Sequence, residues 1–384
     1  METKAATVIF AMSHFKNKQN LMIRTYSAVL PQAKGNIVLA HGNCGHFRSE
    51  FAAYDIEWYM AHYGIGTPNV KNVVDAELSG VYPKDANMSY NYSNSAFPHF
   101  SQLDGRNMFD ITPRFIYEGS FIQKLNSIGY NVYGLDHQSH GLSQGITDQR
   151  NYFLSIDDLA DDIIQFIDIV RRGKFKDTEQ SMNDYNPHQP SEVGKVFLGG
   201  ISMGGNIVLR AAQKSGSYNK SNSMFLDGLI AFAPMTDMTT YTATPKAKLL
   251  FCAARVIAAL KPRSISNLGC TVPDNVNRFF RCQDPIYYSA CQSYRVLLNL
   301  FDATTTLSKN YGSYPPEMPT LLFHSKDDDV CTIRGTYEIL STHLKNHKDI
   351  KFVEMEGSIH CLTAAIYVEN IMPFVAKWLN RINP

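Results

Sequence analysis

Residues 195–212, KVFLGGISMGGNIVLRAA, decide the fold. An apolar run ends at Gly199-Gly200, Ser202 follows, and an amphipathic segment begins at Met203-Gly204-Gly205. A strand that turns sharply into a helix needs small residues on both sides of the turn, and it leaves the central side chain standing clear. Gly200-Ile201-Ser202-Met203-Gly204 meets that need and makes Ser202 the candidate nucleophile. With ordinary Gly and Ser usage, Gly-x-Ser-x-Gly arises by chance in about one chain in ten of this length. The strand on one side and the helix on the other therefore carry the reading, more than the pattern itself.

A serine hydroxyl is a poor nucleophile until a histidine takes its proton and a carboxylate orients that histidine. Both partners are sought at later strand ends. After Pro319 the apolar run TLLFH leads into Ser325-Lys326-Asp327-Asp328-Asp329, three carboxylates in a row. The run IKFVEM (350–355) leads into Glu356-Gly357-Ser358-Ile359-His360. The order Ser, Asp, His is that of α/β-hydrolases and differs from those of chymotrypsin and subtilisin. A tetrahedral oxyanion also needs two backbone N–H donors. Met203, directly after the serine, supplies one; Asn43, in His41-Gly42-Asn43 behind the apolar run NIVLA (36–40), supplies the other.

Further strands are expected near the N-terminus, over LMIRTYSAV (21–29) and over YNVYGL (130–135). The first of these last two, a turn at PQAKG and NIVLA together read as a hairpin entering a buried strand. A helix is expected from Gly119 to Ile128. Another carries Leu159, Ile163, Phe166, Ile167 and Val170 on one face behind Ser155 as N-cap. Such alternation predicts an α/β fold with a mostly parallel central sheet covered by helices on both faces. The core is expected over 1–234 and 313–384, with a surface insertion at about 60–112 that lacks periodicity. Residues 235–312 read as a helical cap, or lid, carrying the apolar run Leu249–Leu260 and the segment YRVLLNLF (294–301). Its apolar face is expected to line an acyl channel and leaves room for transient contact with a membrane surface.

Thirty-six basic and thirty-five acidic residues give a formal charge of +1, with no long block of one sign to attract nucleic acid. The apolar run Leu249–Leu260 is about half a bilayer span and contains Arg255, so no transmembrane segment is expected. Seven cysteines without Cys-x-x-Cys spacing suggest neither a disulfide framework nor zinc, and favour a reducing, cytoplasmic setting. Cys44 and Cys361 adjoin expected site residues and read as buried, inert thiols. His137 and His140 read as part of a turn rather than as metal ligands, because no carboxylate or cysteine cluster completes a site. The chemistry calls for no cofactor.

The segments HGNCGH (41–46), YGLDHQSHGLSQG (133–145), GGISMGGNIVLRA (199–211), DPIYYSACQSYRVLLNL (284–300), PTLLFHSKDDDVC (319–331) and EGSIH (356–360) carry a resemblance. The sequence resembles the monoglyceride lipase and lysophospholipase branch of the α/β-hydrolases, especially the lysophospholipase-like proteins of Plasmodium. The resemblance implies a cap before the aspartate strand, a triad of Ser202, Asp328 and His360, and oxyanion donors at Asn43 and Met203. It also selects Asp328 from the three aspartates, because the family pattern places a small residue and two variable residues before the catalytic one. The implied substrate is a lysophospholipid, a monoacylglycerol or a simpler ester. Peptidase or thioesterase action on the same triad, and acyl binding without turnover, remain alternatives. Ser139 and Ser325 stand where the family usually has Gly, and the family lacks the insertion at 60–112.

Overall fold

The apolar runs become strands: β1 (Ile9–Lys16), β2 (Met22–Val29), β3 (Gly35–Ala40), β4 (Ala53–Tyr54), β5 (Phe115–Ile116), β6 (Tyr130–Leu135), β7 (Val196–Ile201), β8 (Gly228–Phe232), β9 (Thr320–Ser325) and β10 (Ile350–Met355). They belong to a computed structural model that describes residues 7–62, 100–176, 191–218, 225–266, 284–288 and 291–384. Eight of them form one sheet in the order β1-β2-β6-β3-β7-β8-β9-β10, while β4 and β5 pair separately. From β6 to β10 all neighbours run parallel, and β2 is antiparallel to both β1 and β6. The sheet is thus mostly parallel, as the alternation of elements predicts.

The hairpin expected between residues 21–29 and 36–40 does not form. β2 pairs with β1 and β6, whereas β3 lies between β6 and β7. A short turn brings two strands near each other but does not decide their pairing. β3 is buried at every position and takes a central place among parallel neighbours. β2, with its polar Arg24, Thr25 and Ser27, takes the antiparallel margin.

Alternate residues of the central strands feed two cores. Ile37, Leu39, Val132, Phe197, Ile230 and Phe232 face one side; Val38, Ala40, Leu198, Leu229 and Ala231 face the other. The helices of the described residues are α1 (Phe47–Phe51), α2 (Ile56–His62), α3 (Phe100–Leu103), α4 (Phe121–Ser127), α5 (Ile156–Arg171), α6 (Met203–Tyr218), α7 (Pro245–Leu260), α8 (Tyr294–Lys309), α9 (Ile333–Glu338) and α10 (Val368–Ile382). The first core receives α1, α4 and α10; the second receives α5, α6 and α8. Ser155 caps α5 by accepting from Asp157 N, and Leu159, Ile163, Phe166, Ile167 and Val170 are buried along it.

The insertion expected at about 60–112 is not a mere surface element over its last dozen residues. Residues 63–99 lie outside the described ones, but Leu103, Met108, Phe109 and Ile111 are buried in the core. The backbone there bonds to β1, with Met12 N donating to Arg106 O at 2.9 Å and Gly105 N to Met12 O at 2.8 Å. The buried Arg48 guanidinium donates to the carbonyls of Met108, Ile111 and Pro113. An irregular loop satisfied by one arginine leaves no periodicity in the sequence, which is why it reads as surface.

α7 is capped by Thr244, whose side chain accepts from Ala247 N. Of its residues, Ala254 and Ala258 are buried, while Leu249, Val256 and Leu260 are 72 %, 60 % and 78 % exposed. These larger side chains point outward, not into an interior channel as expected. Among the described residues no helix is long and apolar enough to cross a membrane. Cys252 and Cys331 are free thiols, whereas Cys291 is disulfide-bonded. A disulfide at Cys291 runs against the expectation of a reducing, cytoplasmic setting.

Asp162 is buried within α5, accepting from Asn17 Nδ2 at 2.9 Å and Gln138 Nε2 at 3.0 Å. Burial, then the neighbouring Asp158 and Asp161 carboxylates, push it up to about 8 against the lowering effect of those two hydrogen bonds. Between the ordinary carboxylate range and pH 8 the folded state holds a proton that the unfolded state has lost. Stability therefore falls as pH rises through that window, by at most about 1.4 kcal/mol per pH unit. Asp162→Asn should remove the decline, because Gln138 Oε1 has no hydrogen-bond partner and a turned amide can accept from the new side chain. Urea unfolding from pH 5 to 8 checks this: a variant whose stability declines as steeply as the wild type would contradict it.

Candidate active site

β7 ends in the serine turn. Ser202 has φ +58°, the left-handed conformation that β-carbon sterics disfavour. A methyl on Gly204 would collide with the carbonyl oxygens of Ala40 and His41, and one on Gly200 would collide with Gly204 O. Both flanking glycines are thus required by the close approach of α6 to β3 and β7. Ser202 N donates to Phe232 O, and Ser202 O accepts from Met235 N and Asn206 N, all within 3.1 Å. The strained turn is therefore held by the end of β8.

The other two residues of the expected triad come from the ends of β9 and β10. His360 Nδ1 lies 2.8 Å from Asp328 Oδ2. The second oxygen, Oδ1, accepts from Val330 N and Cys331 N, each at 2.9 Å. Asp328 is buried, whereas Asp327 and Asp329 are exposed. Because a carboxylate only accepts, Nδ1 of His360 carries the hydrogen and Nε2 is left to accept a proton.

Ser202 and His360 are not joined by a hydrogen bond among the described residues. The Ser202 hydroxyl instead meets the Cys331 thiol, with Oγ and Sγ 3.8 Å apart. Serine–histidine bonds are often loose in unliganded sites and tighten around substrate. Burial pushes the Cys331 thiol up, so it stays protonated at neutral pH. Cys361 is also buried, but Cys44 is only partly so, with Asn151 Nδ2 and Gln292 Nε2 at 3.7 and 3.5 Å from its sulfur.

Two supporting residues escape a reading by motif. His324, buried in β9, has Nε2 2.7 Å from Cys331 O and Nδ1 2.8 Å from Thr336 Oγ1. It holds the loop that bears Asp328; a polar residue closing the apolar run TLLFH was the available signal. Ser325 donates its hydroxyl to Ile359 O at 2.5 Å, tying the aspartate loop to the histidine loop. Where the resembling family usually has Gly, this chain has a cross-link.

β3 ends in His41-Gly42-Asn43, and a methyl placed on Gly42 would sit 3.3 Å from Ser202 Cβ. Asn43 N and Met203 N have no hydrogen-bond partner among the described residues. Behind the loop lie three buried imidazoles, His41, His137 and His140, with ring centroids 4.3 to 6.1 Å apart. His41 Nδ1 is 2.7 Å from Gly42 O, and His137 N donates to His41 Nε2 at 2.9 Å. His137 Nε2 lies 3.2 Å from His41 O, and His140 Nδ1 lies 2.9 Å from Gln138 O. Burial, with the adjoining imidazoles, keeps His41 well below the usual histidine range and His137 down at about 3. Burial likewise lowers His140 to about 4, so all three are neutral at physiological pH. The hydrogen bonds they make go to the backbone.

A second loop is fixed to this one. His46 caps α1 and has Nε2 2.8 Å from Asp284 Oδ2, both side chains being buried. Tyr288 N donates to Cys44 O at 2.9 Å. Residues 284–288 thus reach back to the loop that follows β3.

A serine on the turn after a central parallel strand, with an acid and a histidine behind later strands of the same sheet, defines an α/β-hydrolase. The family described as serine aminopeptidase, S33, matches residues 116–364, and the chain belongs to that family. No curated protein matches the chain significantly in sequence. Among solved structures it is similar to a Paleococcus ferrophilus monoacylglycerol lipase, with TM-score 0.54, 18 % identity and coverage of 98 % of this chain and 99 % of that one. A soluble variant of the Saccharomyces cerevisiae monoglyceride lipase, bound to a substrate analogue, gives 0.59 and 15 % over 100 % and 97 %. A thermostable carboxyl esterase from Bacillus coagulans, bound to glycerol, gives 0.60 and 14 % over 98 % and 100 %. At these identities the likeness is one of fold.

Proposed function

We propose that the chain hydrolyses carboxylic esters of lipid-like substrates, a monoacylglycerol or lysophospholipid, through an acyl-serine intermediate. The observation that carries the catalytic half is the Asp328–His360 pair, which leaves Nε2 free to take a proton from Ser202. In this reading Ser202 attacks the ester carbonyl, His360 takes its proton and returns it to the leaving alcohol, and Asp328 steadies the imidazolium. Asn43 and Met203 donate their N–H groups to the oxyanion. Water then repeats the sequence on the acyl-enzyme.

The lipid half rests on α7. Its outward Leu249, Val256 and Leu260 lie in a stretch, 245–263, that contains Lys246, Lys248, Arg255, Lys261 and Arg263 and no acidic residue. An apolar helix with cations at both ends suits transient contact with a membrane surface, where a lipid ester is met. The segment starts beside the site, since Tyr241 hydroxyl donates to Val330 O at 3.5 Å and Arg334 pairs with Asp237. Residues 235–312 act, in this proposal, as the cap.

Aminopeptidase action is the second reading, favoured by the family description alone. A panel of p-nitrophenyl esters, 1-oleoylglycerol, lysophosphatidylcholine and aminoacyl naphthylamides separates the two. Each added methylene that is buried contributes about 0.8 kcal/mol, or roughly fourfold in kcat/KM, so activity should climb from acetate to octanoate until the site is filled. A steady fall along the series, or preferred cleavage of the naphthylamides, would overturn the lipid reading.

A further inference from the structure

We infer that His41 is a positioning residue of the oxyanion hole: its Nδ1–H, held on the Gly42 carbonyl, fixes the Gly42–Asn43 peptide with Asn43 N–H turned towards the carbonyl oxygen bound at Ser202. The inference rests on the proposed role of Asn43 and adds a residue that touches neither substrate nor nucleophile.

The tautomer follows from the partners. Gly42 O can only accept, so the His41 Nδ1 at 2.7 Å carries the hydrogen. His137 N–H can only donate, so the His41 Nε2 at 2.9 Å carries none. One ring thus receives its instruction from the end of β6 and passes it to the end of β3. In a planar trans peptide the C=O and the following N–H point in opposite directions. Pulling Gly42 O back onto the imidazole therefore aims Asn43 N–H away from the ring, and Gly42 itself lies against Ser202, where a methyl on it would sit 3.3 Å from Ser202 Cβ.

Gly42 needs such a clamp. A glycine peptide rotates at little steric cost, and Cys44, two residues on, already has φ +66°. A donor that swings loses its value, because stabilisation of a developing oxyanion depends on the donor being oriented beforehand. The clamp is also insensitive to pH in the working range, since burial and the flanking imidazoles hold His41 neutral and a second ring proton would face His137 N–H. His137 Nε2–H, donating to His41 O, braces the same residue from its backbone side.

The test compares His41→Asn with His41→Leu, using a p-nitrophenyl ester, a trifluoromethyl ketone that forms a tetrahedral oxyanion on serine, and thermal unfolding. Asn Nδ2 falls near the place of imidazole Nδ1 and can still donate to Gly42 O, whereas Leu fills the space and donates nothing. The leucine variant should lose about 10- to 100-fold in kcat with KM little changed, a fraction of what deletion of a whole oxyanion donor costs. Its affinity for the ketone should fall by a similar factor, and asparagine should recover most of both. In the wild type, ¹⁵N NMR of His41 should show the Nδ1–H tautomer from pH 5 to 9. The inference is overturned if a folded leucine variant keeps kcat and ketone affinity, or if asparagine and leucine fall equally. It is also overturned if either variant loses activity only in step with its Tm. Ser202→Ala in the same assay tests the catalytic reading separately: residual turnover there would unseat Ser202, whatever His41 does.

Discussion

Ser202→Ala is expected to lose ester hydrolysis by about 10⁴-fold or more while folding normally. Alanine is one oxygen smaller and tolerates the strained turn as serine does, since φ +58° is imposed by β8 and by the glycines at 200 and 204 rather than by the hydroxyl. The hydroxyl itself meets the Cys331 thiol at a long 3.8 Å, so little stability goes with it. What survives in the variant is binding and the proposed oxyanion donors, which alone give slow turnover. A fluorophosphonate probe should label wild type and leave the variant unlabelled. Persistent labelling of a folded variant would mean that another serine carries the acyl group.

Asp328→Asn should cost up to about 10⁴-fold in kcat, by analogy with the serine-protease triad, and its cause is visible in the bonding. The Asn carbonyl would keep the two bonds from Val330 N and Cys331 N. Its NH₂ would then face His360 Nδ1, so that nitrogen must give up its hydrogen and Nε2 must carry one. A histidine so protonated cannot accept from Ser202. The change conserves volume and the backbone bonds, so Tm should move far less than kcat. Asp327→Asn and Asp329→Asn, at exposed positions, should stay near wild type in kcat. If one of those two abolished activity while Asp328→Asn did not, the acid would have been assigned one residue out of place.

Much of this site was legible because chemistry sits at strand ends, and strands announce themselves. TLLFH and IKFVEM became β9 and β10 with bounds within a residue or two, so a run of three aspartates and His360 could be placed just beyond them from the sequence alone. The choice of Asp328 over its neighbours came through the family resemblance, and the pattern of burial agrees with it. What escaped depends on interactions between segments distant in sequence. β8 is a five-residue run, GLIAF, too short to stand out between a loop and a proline. The pairing of β2 with β6 is settled by which strand needs cover on both faces, a property of the assembled sheet. His324, Ser325 and His41 act through backbone carbonyls, and a carbonyl has no signature in a sequence. Leu103, Met108, Phe109 and Ile111 are buried in a stretch whose carbonyl oxygens at Met108 and Ile111 are taken up by Arg48, and nothing local records that.

The parallel register of β9 and β10, with Met355 opposite Ser325, works as a ruler. Asp328 lies three residues beyond one mark and His360 five beyond the other, so their separation is counted in residues from the paired strand ends and not set by the long connection between the strands. Beyond the loop that His324 holds through Cys331 and Thr336, that connection runs past the exposed Lys345 and Lys348 and can lengthen or shorten there without moving either group. A single residue added between Met355 and His360 enjoys no such freedom: it shifts the imidazole along the ruler and detaches it from Ser325's grip on Ile359. Changes of chain length therefore have room around Lys345 and Lys348 and almost none between Met355 and His360.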